Sequence, residues 1–113
     1  MIENNICPVG VFTEKLGGKW KLSIIYNLKD RKLRFGQLAA RIEGVSRKVL
    51  TDHLKQLEAD GLITRTAYKE TPPRVEYSLT KAAKDLSQLF IQIDAWAMAH
   101  FAGKEETSPS TYR

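Results

Sequence analysis

The most informative segment of the chain runs from residue 35 to residue 57 and reads FGQLAARIEGVSRKVLTDHLKQL. Its first part predicts a short amphipathic helix over 35–42. Its last part predicts a second helix that begins after Ser46, a residue type that caps helix N-termini. The three residues between them, EGV, predict a tight turn. A short helix, a turn with glycine and a second helix are typical of a helix-turn-helix unit.

Two further helices are predicted upstream of this unit. Pro8 suits the first position of a helix that continues to about Leu16 and stops at the glycine pair GG. A second helix is predicted from about Lys19, with apolar residues at helical spacing up to Leu28. The whole N-terminal part of the chain is therefore expected to be helical.

A hairpin and a long helix are predicted downstream. Residues 62–68 and 75–79 carry β-branched residues in loose alternation, and the loop between them contains two prolines. Thr80 is expected to cap a last helix that reaches about Phe101. The sequence thus predicts a mainly α fold with a small β-hairpin (α+β). This is a winged helix-turn-helix domain over 1–102, followed by a disordered tail over 103–113.

Positive charge is concentrated in one part of the chain. Residues 15–55 contain eleven basic side chains and three acidic ones, a local net charge of +8, whereas the whole chain carries +5. This distribution is expected of a surface that binds a polyanion, although a basic face that is only solvated would give the same pattern of charge. The long apolar runs of a membrane span are absent, and the N-terminus does not resemble a signal peptide, so we expect a cytoplasmic protein.

The predicted second helix of the unit is the candidate reader of a DNA major groove. Leu50, Leu54 and Leu57 fall on its inward face. Arginine can bind guanine with two hydrogen bonds, and the hairpin offers a further cation for the DNA backbone. The candidate DNA-binding residues are Arg34, Ser46, Arg47, Lys48, Thr51, Asp52, Lys55 and, on the hairpin, Arg74.

The last predicted helix carries an apolar stripe that is too wide to leave in water on a monomer. We expect part of it to pack on the domain and part on a twofold-related copy. The candidate dimer-interface residues are Leu86, Phe90, Ile93, Trp96 and Ala97.

Several segments together resemble one family. The segments are CPV at 7–9, GGKW at 17–20, RFGQL at 34–38, DGLI at 60–63 and PPRVEYSLT at 72–80. They are similar to the HxlR-type regulators, winged-helix proteins related to the MarR group. This resemblance covers about residues 7–97. It implies a homodimeric repressor, paired through its first and last helices, that binds an inverted-repeat operator in double-stranded DNA.

The resemblance also implies a role for Cys7, because several members sense quinones, aldehydes or oxidants with a cysteine at this position. In this chain Cys7 is the sole cysteine and is predicted at a helix start. Three free N–H groups there would favour the reactive thiolate. An inert buried cysteine is the alternative. Any disulfide would join two chains or a small thiol.

Other classes of function receive less support. The sequence shows no catalytic triad, carboxylate pair or glycine-rich phosphate loop, so we do not expect an enzyme. We expect no cofactor and no metal, because the histidines His53 and His100 have no ligand-spaced partners. A regulator without redox sensing and a winged-helix module that binds protein both remain open.

Overall fold

Five helices and a two-stranded antiparallel hairpin make up residues 7–101, the part of the chain that the computed structural model describes. The predicted tail, 103–113, lies outside the described residues. The elements are, in chain order, α1 (Pro8–Leu16), α2 (Lys21–Leu28), α3 (Phe35–Arg41), α4 (Arg47–Ala59), β1 (Ile63–Tyr68), β2 (Arg74–Leu79) and α5 (Lys81–Phe101).

Each predicted element of the described range is present, with small differences at the ends. The clearest difference is that α2 begins at Lys21 rather than near Lys19. Gly18 adopts a left-handed conformation, with φ 97°, and the two residues after it form a bend. Trp20 in this bend is half-buried and packs against the core.

The turn between α3 and α4 is closed by local interactions. The Ser46 side chain accepts a hydrogen bond from the Val49 N–H at 3.1 Å, which satisfies one of the free donors of the first turn of α4. Gly44 has φ 92°, a conformation that side chains with a Cβ rarely adopt. The Trp20 ring lies close to Gly44, so a Cβ there would come within 3.5 Å of it.

The C-terminal end of α4 is tied to the hairpin and to α5. The Leu62 N–H donates to the Leu57 carbonyl at 2.9 Å. The Thr80 hydroxyl donates to the Gly61 carbonyl at 2.7 Å and accepts from the Ala83 N–H at 3.4 Å. The predicted cap of the last helix is therefore confirmed, and α5 begins beside the end of α4.

The hairpin gains a short third segment from the loop after α2. Leu33 and Tyr77 form an antiparallel bridge, in which the Leu33 N–H donates to Tyr77 at 3.1 Å and the Tyr77 N–H donates back at 2.8 Å. All five helices and this small sheet contribute buried residues to the core. The largest fully buried apolar side chains are Ile24, Ile25, Leu38, Ile42, Leu50, Leu54 and Leu57. Among the described helices, none is both long and apolar enough to cross a membrane.

Candidate nucleic-acid interface

The faces of α4 separate its apolar and polar residues. Leu50, Leu54 and Leu57 are 0%, 2% and 0% exposed, so they hold the helix against the core. On the other faces, Arg47, Lys48 and Lys55 are exposed, while Thr51 and Asp52 are half-buried. The predicted reading residues thus lie on one continuous outer surface of a rigidly packed helix, the form in which a helix can enter a major groove.

The N-terminal ends of α3 and α4 meet at an arginine–aromatic contact. The Arg47 guanidinium stands over the Phe35 ring at 4.6 Å from its centroid. Arg34, directly before Phe35, is exposed, and its backbone N–H donates to the Gln37 side chain at 2.9 Å. The contact orients Arg47 before any ligand arrives. Sequence analysis did not single out Phe35, because only the packing of α3 against α4 brings it beneath Arg47.

Two of the predicted DNA-binding residues pair with each other. The Lys48 ammonium lies 3.1 Å from the Asp52 carboxylate, one helical turn apart. Lys48 is 83% exposed at its side chain, so the pair is a surface ion pair that holds its partners weakly. The Asp52 carboxylate offsets the charge of Lys48 at this part of the surface.

The side chain of Arg74 is enclosed by partners within the hairpin. It forms ion pairs with Glu70 at 2.9 Å and Glu76 at 3.2 Å, and its guanidinium lies 4.1 Å from the centroid of the Tyr68 ring. Arg74, Glu76 and Tyr68 share one face of the hairpin, because Tyr68 and Arg74 are directly paired in the register. This arrangement neutralises Arg74 and does not favour the contact with DNA predicted for it.

The opposite face of the hairpin presents a cation that sequence analysis missed. Ile63 and Leu79 are paired and buried, so their face is the one packed on the domain. Arg65 and Tyr77 are the next pair on that same face, and both line a cleft beside α4. The signal was present in the strand alternation, since Arg65 lies two residues after the inward-facing Ile63.

His53 lies on α4 between its exposed and buried faces. It is half-buried, and its buried Nδ1 has no hydrogen-bond partner within residues 7–101. Burial lowers the pKa of His53 from its usual 6.5, the nearby Lys21 charge lowers it further, and Asp52 acts in the opposite direction. The fold therefore favours the neutral form of His53.

Cys7 is exposed at the N-terminal end of α1, as the N-cap residue. Its side chain makes no capping hydrogen bond with the described first turn. Pro8 has no N–H, and the Val11 N–H is bonded to the Cys7 carbonyl at 2.9 Å. The expectation that three free N–H groups face the sulfur is therefore wrong, and at most those of Val9 and Gly10 are available.

The apolar residues of α5 divide into a packed half and an exposed half. Phe90 is 5% exposed and meets Tyr26 edge to face at 5.3 Å, so it belongs to the interior of the chain. Leu86 is half-buried and packs against the core. Ile93 and Trp96 are 49% and 55% exposed, and Ala97 is half-buried.

Two apolar concavities flank the exposed half of α5. One, of about 430 Å³, lies against α2 and is lined by Leu22, Tyr26, Phe90, Ile93, Asp94, Ala97 and Met98. The other, of about 350 Å³, lies against α1 and is lined by Phe12, Leu89, Gln92, Ile93 and Trp96. Ile93 separates the two. In the described part of the chain, no group of three His, Cys, Asp or Glu residues could hold a metal ion.

A helix-turn-helix unit followed directly by a hairpin, with the outer face of its second helix free, defines the winged helix-turn-helix class. Residues 15–105 match the family described as HxlR-like helix-turn-helix. The chain belongs to this family and is a transcriptional regulator of the HxlR type.

Individual relatives and solved structures agree with this membership. An HTH-type transcriptional regulator of Methanothermobacter thermautotrophicus is 38% identical over 102 residues, which cover 90% of this chain and 78% of the relative. A structure described as a MarR-family transcriptional regulator from Porphyromonas gingivalis W83 superposes with a TM-score of 0.79 at 39% identity, covering 88% of this chain and 98% of the other. The structure of the redox regulator HypR in its oxidized form superposes with a TM-score of 0.77 at 36% identity, covering 83% of this chain and 97% of the other.

Proposed function

We propose that this regulator binds double-stranded operator DNA sequence-specifically, with α4 in the major groove, and represses transcription as a homodimer. The observation that carries the proposal is the N-terminal end of α4. Ser46 caps it, Arg47 is held over Phe35, and Lys48 projects beside them. Capped helix ends with oriented arginines suit both base edges and phosphates.

The exposed half of α5 supports a twofold-symmetric dimer. Leu89, Ile93 and Trp96 present apolar surface that a second copy could bury, with Phe12 of α1 beside them. A dimer would present two copies of α4 at a set spacing, and such readers bind inverted repeats whose half-sites lie one helical turn apart.

Selection of bound sequences from random DNA tests the proposal, and an inverted repeat should emerge. On the selected operator, Arg47→Ala should cost about 1–3 kcal/mol if Arg47 reads a base. Lys48→Ala should weaken binding to all sequences alike and reduce the salt slope by about one. Failure of the parent to enrich any sequence would overturn the proposal.

Lys81→Ala is the matched control for loss of one exposed cation. Lys81 opens α5, which begins beside the C-terminal end of α4, because Thr80 is bonded to Gly61. The 13 residues of α4 separate that end from Arg47 by roughly 20 Å. Binding by Lys81→Ala should therefore equal that of the parent, and native far-UV spectra should accompany all three variants.

A second candidate function is oxidant sensing at Cys7, which the exposure of this thiol and the similarity to a redox regulator favour. Diamide would take two hydrogens from two thiols and form one disulfide, either between the Cys7 residues of two chains or between Cys7 and a small thiol. Because Cys7 caps α1 near the proposed dimer surface, the adduct would alter the spacing of the two α4 helices.

Operator binding with and without diamide tests this second function. Diamide should weaken binding by the parent, dithiothreitol should restore it, and Cys7→Ser should bind equally well under both conditions. Equal binding by the oxidised and reduced parent would leave a regulator without redox sensing. Loss of DNA binding by the reduced parent, with capture of a protein partner, would instead favour a protein-interaction module.

A further inference from the structure

The two arginines of the hairpin have opposite surroundings because the strands alternate. In the register, Arg65 is paired with Tyr77, whereas Arg74 is paired with Tyr68 at the other end of the ladder. Residues two apart share a face, so Arg65 lies on the inner face with Ile63, and Arg74 lies on the outer face. Both are strand arginines, but only Arg65 faces α4.

Arg65 lies in a cleft of about 290 Å³ between the hairpin and α4, which is lined by Thr51, Leu54, Lys55, Glu58, Arg65 and Tyr77. Thr51 and Lys55 in this lining are predicted DNA-binding residues on the outer surface of α4. The cleft therefore continues the proposed DNA surface from the helix onto the hairpin.

Arg65 is electrostatically available, unlike Arg74. Arg65 is exposed, and its side chain makes no hydrogen bond or ion pair with another residue of the described range. Arg74 already has two carboxylates and an aromatic ring as partners. An incoming phosphate would have to displace those partners from Arg74, whereas at Arg65 it would meet free N–H donors.

We propose that Arg65 is the hairpin residue that binds the DNA backbone, donating two parallel hydrogen bonds to a phosphate at the edge of the groove that α4 enters. The inference rests on the proposed function and assigns a residue to it. Glu58, in the same cleft, opposes this contact because its carboxylate repels the phosphate. Lys55 supports it from the helix side.

The assignment is tested by measuring operator affinity of Arg65→Gln at several salt concentrations. Arg74→Gln tests the alternative that Arg74 makes the contact, and Lys81→Gln is the control for the loss of one positive charge. Arg65→Gln should lose about tenfold or more in affinity at low salt and reduce the salt slope by about 0.9. Glu58→Gln should bind more tightly than the parent. Arg65→Lys should fall between Arg65→Gln and the parent, because it keeps the charge and loses the planar fork.

The outcomes separate the inference from the proposed function. Thermal melting first shows which variants unfold with the same transition as the parent, and only those are compared in DNA binding. If Arg65→Gln does not fold, Arg65→Lys is compared with the parent instead. Parent-like affinity and slope in Arg65→Gln, or in Arg65→Lys if that variant alone folds, would overturn the inference, as would a larger loss in folded Arg74→Gln. If Arg47→Ala loses binding while the folded Arg65 variants do not, the proposed function stands and the inference fails. If the parent binds no DNA, both fail.

Discussion

Helices α4 and α5 are both amphipathic, but they differ in how completely the rest of the chain buries their apolar faces. In α4, Leu50, Leu54 and Leu57 are at most 2% exposed. In α5, apolar residues at the same kind of spacing, Leu89 and Ile93, remain 47% and 49% exposed. Packing within a single chain buries the apolar face of α4 but leaves the apolar residues in the outer half of α5 exposed. Periodicity thus identifies an apolar face, and only packing shows whether that face belongs to a core or to an interface.

The largest expected effect is on the free energy of unfolding, when a residue on the buried apolar face of α4 is substituted. Leu54→Ala should lower the free energy of unfolding by roughly 2–5 kcal/mol, because it removes buried methyl groups and leaves a cavity. Lys55→Ala, one residue later on the exposed side of α4, is the control and should change it by less than about 0.5 kcal/mol. Urea denaturation measures both. Equal effects would mean that α4 is not packed as described.

A substitution on the exposed apolar face of α5 is expected to change the oligomeric state. Ile93→Asp places a charge between the two apolar concavities, so it should shift the monomer–dimer equilibrium toward monomer by about 100-fold or more while the helices stay folded. Sedimentation velocity measures this shift, and Gln88→Asp on the same helix is the control. A parent that is monomeric at tens of micromolar, or a variant that stays dimeric, would contradict the comparison.

A smaller effect is expected at the polar end of α4. Phe35→Leu removes the ring beneath Arg47 but keeps an apolar side chain, so operator affinity should fall by about two- to fivefold, the strength of an exposed cation–π contact. In a double-mutant cycle, the Phe35→Leu penalty should disappear once Arg47 is alanine. Additive losses would show that Phe35 does not position Arg47.

The smallest expected effect is the pH dependence of the free energy of unfolding that His53 of α4 produces. The unfolded chain protonates His53 near pH 6.5, whereas burial and Lys21 depress its pKa in the fold. The free energy of unfolding should therefore fall as the pH drops from 7 through this range, until the folded-state pKa is passed. His53→Gln should flatten this fall. Urea titrations between pH 7.5 and 5 decide this, and an unchanged slope in His53→Gln would contradict the prediction.

The order of elements, the Ser46 cap and the inward leucines of α4 could be read from the chain because each follows from local chemistry. A hydroxyl before a helix, and apolar residues at a spacing of three or four, act over a single turn or two. Gly61, with φ 77°, is another local feature, because glycine adopts the left-handed conformation that often follows the end of a helix. The motifs that indicated the HxlR family lie in these same turns and caps.

Tertiary contacts decided the rest. Phe35 and Arg47 are twelve positions apart, Leu33 and Tyr77 are forty-four apart, and each pair meets only through the packing of separate elements. Arg74 was the more conspicuous cation in the sequence, yet Glu70 and Glu76 enclose it while the register turns Arg65 toward α4. Likewise α2 packs against Phe90, which is 5% exposed, whereas Ile93 one turn later on α5 stays 49% exposed. Local patterns specify which side of an element is apolar or charged, whereas the neighbour that meets that side is chosen by long-range packing.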